Sequence, residues 1–417
     1  MITPAYSPTA TERVLPRMAL DFTTGVLDSR VTIARALNTA TRVNSSGLVE
    51  IVNANLPRFD YDPSTLAAKG LLIEETRANL ITYSEEFDNV IWSKNNVSVT
   101  QNAALSPDGT TTAELVSEVA VATSHLWSQT SAYTSGVSYT LSVYMKKGTG
   151  ATAPDWMQLT FGSAAFGASQ YANFNLATGA VGTVLGGTAA IQNAGGGWYR
   201  LSFTATATAT TSTPGAFGFI NNTNASARLP AYTGATTSDV LVWGAQVEAG
   251  AFPTSYIPTA GTSLTRNADV VSMTGTNFSS WYNATSGAIL ARSRQSVITG
   301  TRPSIYISDG TANNIISLRG LAANPELFIK ATTDQAQIDA GTLTANSSFG
   351  LVGAWTTDNC AAAINGGAAV TDTSATIPTV DRMLIGSDGT NYLNGQVERI
   401  SYWPQRIINA EAQAFSK

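Results

Sequence analysis

The sequence predicts a mostly-β protein built as tandem antiparallel β-sandwiches. Three observations carry the prediction of sheets. Charged residues make up only 12% of the 417 residues, against ~25% in an ordinary soluble chain. Thr, Ser, Ala, Gly and Asn replace them, a mixture that suits neutral sheet faces and frequent turns and makes poor surface helices. Short segments alternate apolar and polar residues with period two, between Gly, Pro and Asp turns. At ~100–200 residues per domain the chain holds two or three domains, each with its own core.

Residues 1–79 read as a small N-terminal attachment region. Pro4, Pro8 and Pro16 make its start extended. Met18-Ala19-Leu20-Asp21-Phe22 and Gly47-Leu48-Val49-Glu50-Ile51-Val52 read as short strands, and Gly25 to Val31 as turn and strand. Pro63 to Gly70 reads as one helical turn closed by Gly70. The region is too aperiodic to hold a core alone, so it is expected to pack on a partner or on the next module.

Residues 80–267 repeat one pattern. Ser138-Tyr139-Thr140-Leu141-Ser142-Val143-Tyr144-Met145-Lys146 alternates strictly, with Tyr139, Leu141, Val143 and Met145 on one face. Strands are also expected at Trp156–Phe161, at 198–204 and at 240–247, with turns at Pro107-Asp108-Gly109 and Ala194-Gly195-Gly196-Gly197. Short strands at this density predict a two-sheet jelly roll. Residues 268–417 continue in strands. A hairpin is expected around Thr357-Asp358-Asn359. The last strand, Leu393-Asn394-Gly395-Gln396-Val397-Glu398-Arg399-Ile400-Ser401-Tyr402-Trp403, would insert Val397, Ile400 and Tyr402 or Trp403 into the core. A helical turn from Asn409 to Phe415 closes the chain.

Net charge is −5 and no Lys/Arg stripe exists, which argues against nucleic acid as a partner. No run of ~18 apolar residues exists, so no membrane span is expected. The N-terminus lacks a basic start followed by an apolar core, so no signal peptide is expected and synthesis in a cytoplasm is. Cys360 is the one cysteine, so no intrachain disulfide forms, and it reads as a buried, inert thiol.

One segment carries a resemblance. Pro57-Arg58-Phe59-Asp60-Tyr61-Asp62-Pro63 runs on through Lys69-Gly70-Leu71-Leu72-Ile73-Glu74-Glu75 to Asn79-Leu80-Ile81-Thr82-Tyr83-Ser84-Glu85. It resembles a segment near the start of many bacteriophage tail-fibre, head-fibre and other virion-surface proteins, where it precedes β-sandwich modules of carbohydrate-binding type. Trp92-Ser93-Lys94, Pro107-Asp108-Gly109, Gly197-Trp198-Tyr199-Arg200, Trp243-Gly244-Ala245-Gln246-Val247-Glu248 and Phe252-Pro253-Thr254-Ser255-Tyr256-Ile257-Pro258 resemble the jelly-roll modules of phage fibres and polysaccharide-degrading enzymes. The ending from Leu393 to Trp403 resembles a concanavalin A-like or laminin G-like sandwich. The resemblance implies a phage virion structural protein, a tail or head fibre that displays sandwiches to host cell-surface polysaccharide. It implies attachment to other virion proteins through the N-terminal region, a place on the virion surface, and a homo-oligomer, with a trimer favoured. Two alternatives stand beside it: a purely structural capsid or tail decoration protein, and a tailspike enzyme that cleaves surface polysaccharide.

No catalytic residue is assigned. The single histidine, His125, leaves little room for a Ser-His-Asp triad and none for a His-rich metal site. Gly195-Gly196-Gly197 opens a strand and reads as a turn. Glycoside hydrolysis needs two carboxylates facing a cleft. Glu85-Glu86-Phe87-Asp88 is the densest acidic cluster and reads as solvated or helix-terminal charge. Asp60 and Asp62 read as backbone caps or partners of Arg58. Sugar binding needs flat aromatic faces beside amides and hydroxyls. Trp127, Tyr133, Trp156 and Tyr171 fit that pattern, with Asp155 and Gln158 for hydrogen bonds; for these rings core burial is the competing reading. Trp92, Trp198, Trp243 and Trp403 are expected in the core. The jelly-roll resemblance also raises one structural calcium ion, with Asp88, Asp108, Asp239 and Glu248 as ligands.

Overall fold

A computed structural model describes residues 15–167 and 170–417. The reading of an extended start at Pro4 and Pro8 lies outside the described residues. The chain forms two compact units. One, here the inserted unit, comprises residues 34–69 and 74–269. The other, the flanking unit, comprises the described residues up to Ile33, then Gly70–Ile73 and Val270–Lys417. Residues 1–79, read from sequence as one attachment region, are thus shared between the two. Among the described residues no helix is long and apolar enough to cross a membrane.

The inserted unit is a sandwich of two six-stranded antiparallel sheets. The first runs Ala180–Leu185, Tyr171–Asn175, Trp156–Phe161, Thr211–Phe219, Leu126–Tyr133, Ser93–Asn95. The second runs Thr188–Gly195, Trp198–Thr206, Ser138–Lys147, Asp239–Ala249, Ala113–Glu118, Val97–Ala104. Alternation explains the core. Met157, Leu159 and Phe161 of one sheet meet Leu141, Val143, Met145, Leu201, Phe203 and Val247 of the other, all fully buried. Each such side chain stabilises the fold by about 1.5–3 kcal/mol relative to exposure.

The strand Asp239–Ala249 does not alternate, because both its faces are covered. Its second face packs in a smaller cluster of Val49, Tyr144, Trp198, Leu241, Trp243 and Tyr256. Gly244 sits in it at φ 62°, where the register with Ser138–Lys147 slips between Ser142 and Tyr144. Only glycine takes that conformation without strain, so the Trp243-Gly244-Ala245-Gln246 sequence encodes a β-bulge.

The segment around Arg58 becomes a buried ion cluster. Arg58 Nη1 donates to Glu74 Oε2 at 2.7 Å, and Arg58 Nη2 pairs with Asp269. Arg35 Nη1 meets Asp269 Oδ1 at 2.8 Å, and Arg266 Nη1 meets Glu74 Oε2 at 2.9 Å. Ser255 N donates to Glu74 Oε1 at 2.7 Å, so every carboxylate oxygen is held. Asn79 is as fully used: Nδ2 donates to Ala245 O and Ile257 O, and Oδ1 accepts from Ile81 N and Val247 N. Asp60 Oδ1 accepts from Val43 N, and Asp62 Oδ1 caps Ser64 and Thr65, so both serve as backbone caps. The helical turn expected from Pro63 to Gly70 is a correction. Leu66 takes φ 60°, and the chain then enters the strand Ala68–Ile73.

The flanking unit has two antiparallel sheets as well. Its first sheet includes Val370–Asp372, Cys360–Ile364, Ser348–Thr356, Ser286–Gln295 and Gly395–Trp403. Met18–Asp21 and Leu71 to Ile73 both line the free edge of Gly395–Trp403. Its second sheet runs Thr32–Ala34, Val270–Thr274, Arg382–Ile385, Thr301–Ser308, Asn314–Leu321, Asn324–Ala331, Thr333–Asp339. Val397, Ile400, Tyr402 and Trp403 are all buried. Tyr402 packs on Trp281, and Trp403 stacks on Phe415 of the closing helix Asn409–Phe415 at 4.8 Å. The hairpin pairs Ala354 with Ala361, as the Thr357-Asp358-Asn359 turn requires. Cys360 is buried, and burial pushes its thiol up to about 11.

Candidate functional site

The six residues singled out for sugar contact separate into four that are buried and two at the surface. Trp127 points inward and is fully buried between Phe217 and Phe219. Tyr133 is enclosed by Tyr139, Phe161 and Phe166. Tyr171 is 3% exposed. Gln158 is fully buried, with its amide bonded to Asn173 and to main chain. These four are corrections. Strand alternation and covering chain take their faces from solvent, and the sequence does not state which face of a strand meets water.

Trp156 and Asp155 remain at the surface, both half-buried. Trp156 begins the strand Trp156–Phe161 opposite Asn175, on the outer face of its sheet. Its indole lies over Gly182 of the neighbouring Ala180–Leu185 strand; a Cβ there would come within 2.5 Å of Cζ3. Asn224 Oδ1 caps Thr183 N at 2.8 Å beside it. Asp155 pairs with Lys147 Nζ at 2.5 Å, and Asn222 Oδ1 accepts from Asp155 N at 2.6 Å. The result is one accessible indole ringed by a carboxylate, an ammonium and two exposed asparagines. Gly182 and the Asn221-Asn222-Thr223-Asn224 run were not singled out from sequence; the run carries a turn signature but no mark of its neighbour across the sheet.

A second polar feature of the inserted unit is an acidic cavity of about 560 Å³, lined by Glu85, Glu86, Asp88, Gln101, Glu114 and Thr259 among others. Glu85-Glu86-Phe87-Asp88, expected as solvated charge, forms one wall. Glu114 was not singled out. It is a lone carboxyl in the apolar run Ala113-Glu114-Leu115-Val116, and it accepts from Asp88 N at 2.9 Å. Burial first, and the adjacent Asp88 carboxyl second, push Glu114 up to about 8. Burial likewise raises Glu85, whose Oε1 accepts from Tyr256 Oη at 2.9 Å.

The four carboxylates named for calcium do not converge. Asp88 accepts from Gln101, and Asp108 caps Thr110 N. Asp239 accepts from Gly150 N, and Glu248 holds Thr254 N and Oγ1. Each serves its own turn or strand end. Among the described residues no three His, Cys, Asp or Glu groups gather as a metal site. His125 is fully buried, with Nδ1 2.9 Å from Asn96 O and Nε2 3.2 Å from Tyr232 O. Both ring nitrogens are thus spent on main chain.

No family model matches the chain, and no curated protein does. Solved structures give partial likenesses. The NanB sialidase of Streptococcus pneumoniae matches over 35% of this chain and 26% of its own, at 14% identity and a TM-score of 0.31. The CBM40 of the Ruminococcus gnavus IT-sialidase matches over 32% of this chain and 84% of its own, at 13% identity and 0.29. The SAP-like pentraxin of Limulus polyphemus matches over 32% and 70%, at 10% identity and 0.27. Superposition at this level says nothing about ligand.

Proposed function

We propose that this chain is a phage virion-surface protein, a tail or head fibre, whose inserted jelly roll binds host-surface glycan through the Trp156 surface. The half-exposed indole over Gly182, flanked by Asp155 and two asparagines, carries the glycan reading: it offers a flat apolar face for sugar C–H groups beside donors and acceptors for hydroxyls. The segment from Pro57 to Glu85 supports the virion reading through its resemblance. Repetition of a weak site in a trimer would supply useful avidity, because later contacts are intramolecular. The test is binding to purified host lipopolysaccharide and capsular polysaccharide. Trp156→Ala is expected to weaken binding about tenfold or more with an unchanged melting temperature. Equal binding by variant and wild type sinks the reading.

One observation favours an enzymatic alternative. A protonated Glu114 in a carboxylate-lined cavity has the chemistry of a general acid. Shortening of the same polysaccharides by the protein, lost in Glu114→Gln, would move the function from display to hydrolysis.

A further inference from the structure

The outer face of the Trp156 sheet carries more polar groups than its open surface uses. Gln158, Thr160 and Asn173 lie on that face beside Trp156, and all three are fully buried. Their cover is the connection of residues 220–231, which leads from the strand Thr211–Phe219 to Tyr232–Thr233. The cover bonds through main chain at Ala225, Ala227 and Leu229 and through the side chains of Asn222, Asn224 and Arg228. Gln158 Nε2 donates to Ala227 O at 3.1 Å, and its Oε1 accepts from Leu229 N at 2.7 Å. Asn173 Nδ2 donates to Ala225 O at 2.7 Å and to Asn224 Oδ1 at 3.0 Å. Thr160 Oγ1 accepts from Arg228 Nε at 2.6 Å.

Beyond Ile220, which is fully buried, the covering segment buries no residue. Leu229, seated over Gly218, is a large apolar contact within it. Leu229 takes φ 46°, a left-handed conformation that an L-leucine adopts under strain. The segment rests on hydrogen bonds to the side chains of Gln158, Thr160 and Asn173 and to main chain at Asp155, Phe161 and Thr183, and sugar hydroxyls can make the bonds to those three side chains. Lifting it exchanges these bonds for bonds to water, a small net change, while Gln158 and Asn173 keep their bond to each other. A ligand that offers hydroxyls to the same groups shifts the balance toward the open form.

We propose that residues 220–231 are a strap that stands in for ligand on this face, and that a bound oligosaccharide displaces it and runs from Trp156 onto Gln158, Thr160 and Asn173. The inference rests on the glycan reading above and extends it. Trp156 and Thr160 are about 14 Å apart along the strand, further than one sugar ring reaches, so the ligand is a neutral chain of several sugars. A monosaccharide would engage Trp156 and leave the strap shut.

The full chain carrying Gly218→Cys and Leu229→Cys tests this, since the native thiol Cys360 is buried. Cellohexaose, laminarihexaose and mannohexaose are the probes, with host lipopolysaccharide beside them. The oxidised, strap-locked form is expected to bind about tenfold more weakly or worse than the reduced form, which should match wild type. Equal binding by both redox forms, with loss in Trp156→Ala, overturns the strap and leaves the Trp156 surface standing. If wild type binds none of the probes, the surface reading falls and hydrogen exchange decides the strap. Exchange of the Leu229 amide about a hundredfold faster than that of Leu159 supports an opening strap, and equal rates overturn it.

Discussion

Glu74 and Glu85 lie close in sequence, in the same unit, yet belong to carboxylate groups with opposite physics. Glu74 and Asp269 share Arg35, Arg58 and Arg266, so each negative charge has a partner and a full set of donors. Burial opposes the charge on Glu74, but Arg266 and Arg58 outweigh it and hold the group at about 2. Glu85, Asp88 and Glu114 face one cavity whose lining, among the described residues, holds no Lys or Arg. Burial and like charge act in the same direction on Glu114 and lift it. The difference teaches that the partner, not the depth, decides what a buried carboxylate does. The first group is structure. The second is a place where a proton, a hydroxyl or a cationic group would be welcome.

Three measurements break or sharpen that contrast. Arg58→Ala removes the one arginine that bridges both carboxylates, leaves Glu74 with Arg266 alone and Asp269 with Arg35 alone, and should cost about 3–5 kcal/mol of unfolding free energy in denaturant titration. A loss under about 1 kcal/mol would mean that the cluster is not a unit. Acid comes next. Glu74 is depressed from 4.5 to about 2, so its contribution is full above 4.5 and is lost as pH falls toward 2. Glu74→Gln should therefore show a much flatter denaturation midpoint between pH 5 and 2, from a lower starting stability. The smallest effect has the opposite sign. Glu114 is raised from 4.5 to about 8, so the folded state keeps a proton the unfolded chain loses, and stability falls as pH rises across that range. Glu114→Gln should remove that decline and melt a few degrees higher than wild type above pH 8. A variant with the same pH profile as wild type would show that Glu114 titrates normally.

Much of the architecture was legible because alternation is local. Tyr139, Leu141, Val143 and Met145 announce their face within one strand, and the run from Gly395 to Trp403 announces a strand that buries Val397, Ile400 and Tyr402. The site was less legible because it depends on neighbours across the sheet. Trp127 and Trp156 both stand among Ser, Gln and Asp, yet one faces Phe217 and the other faces solvent over Gly182. Glu114 looks like an ordinary polar position until Asp88 is brought beside it. Pro57 to Glu85 shows the reverse. A resemblance was visible in it without structure, while its physical meaning, an arginine between two carboxylates, needed Asp269 from far along the chain.

The edge shared by Met18–Asp21 and Leu71 to Ile73 on Gly395–Trp403 has a consequence for synthesis. Both early segments wait for a strand made far later in the chain. The intervening jelly roll has all its own strands well before that, so it can close while its host is still incomplete. Assembly in the cell should then be ordered by vectorial translation, with the nested module maturing first and the flanking sandwich sealing only once Gly395–Trp403 has emerged.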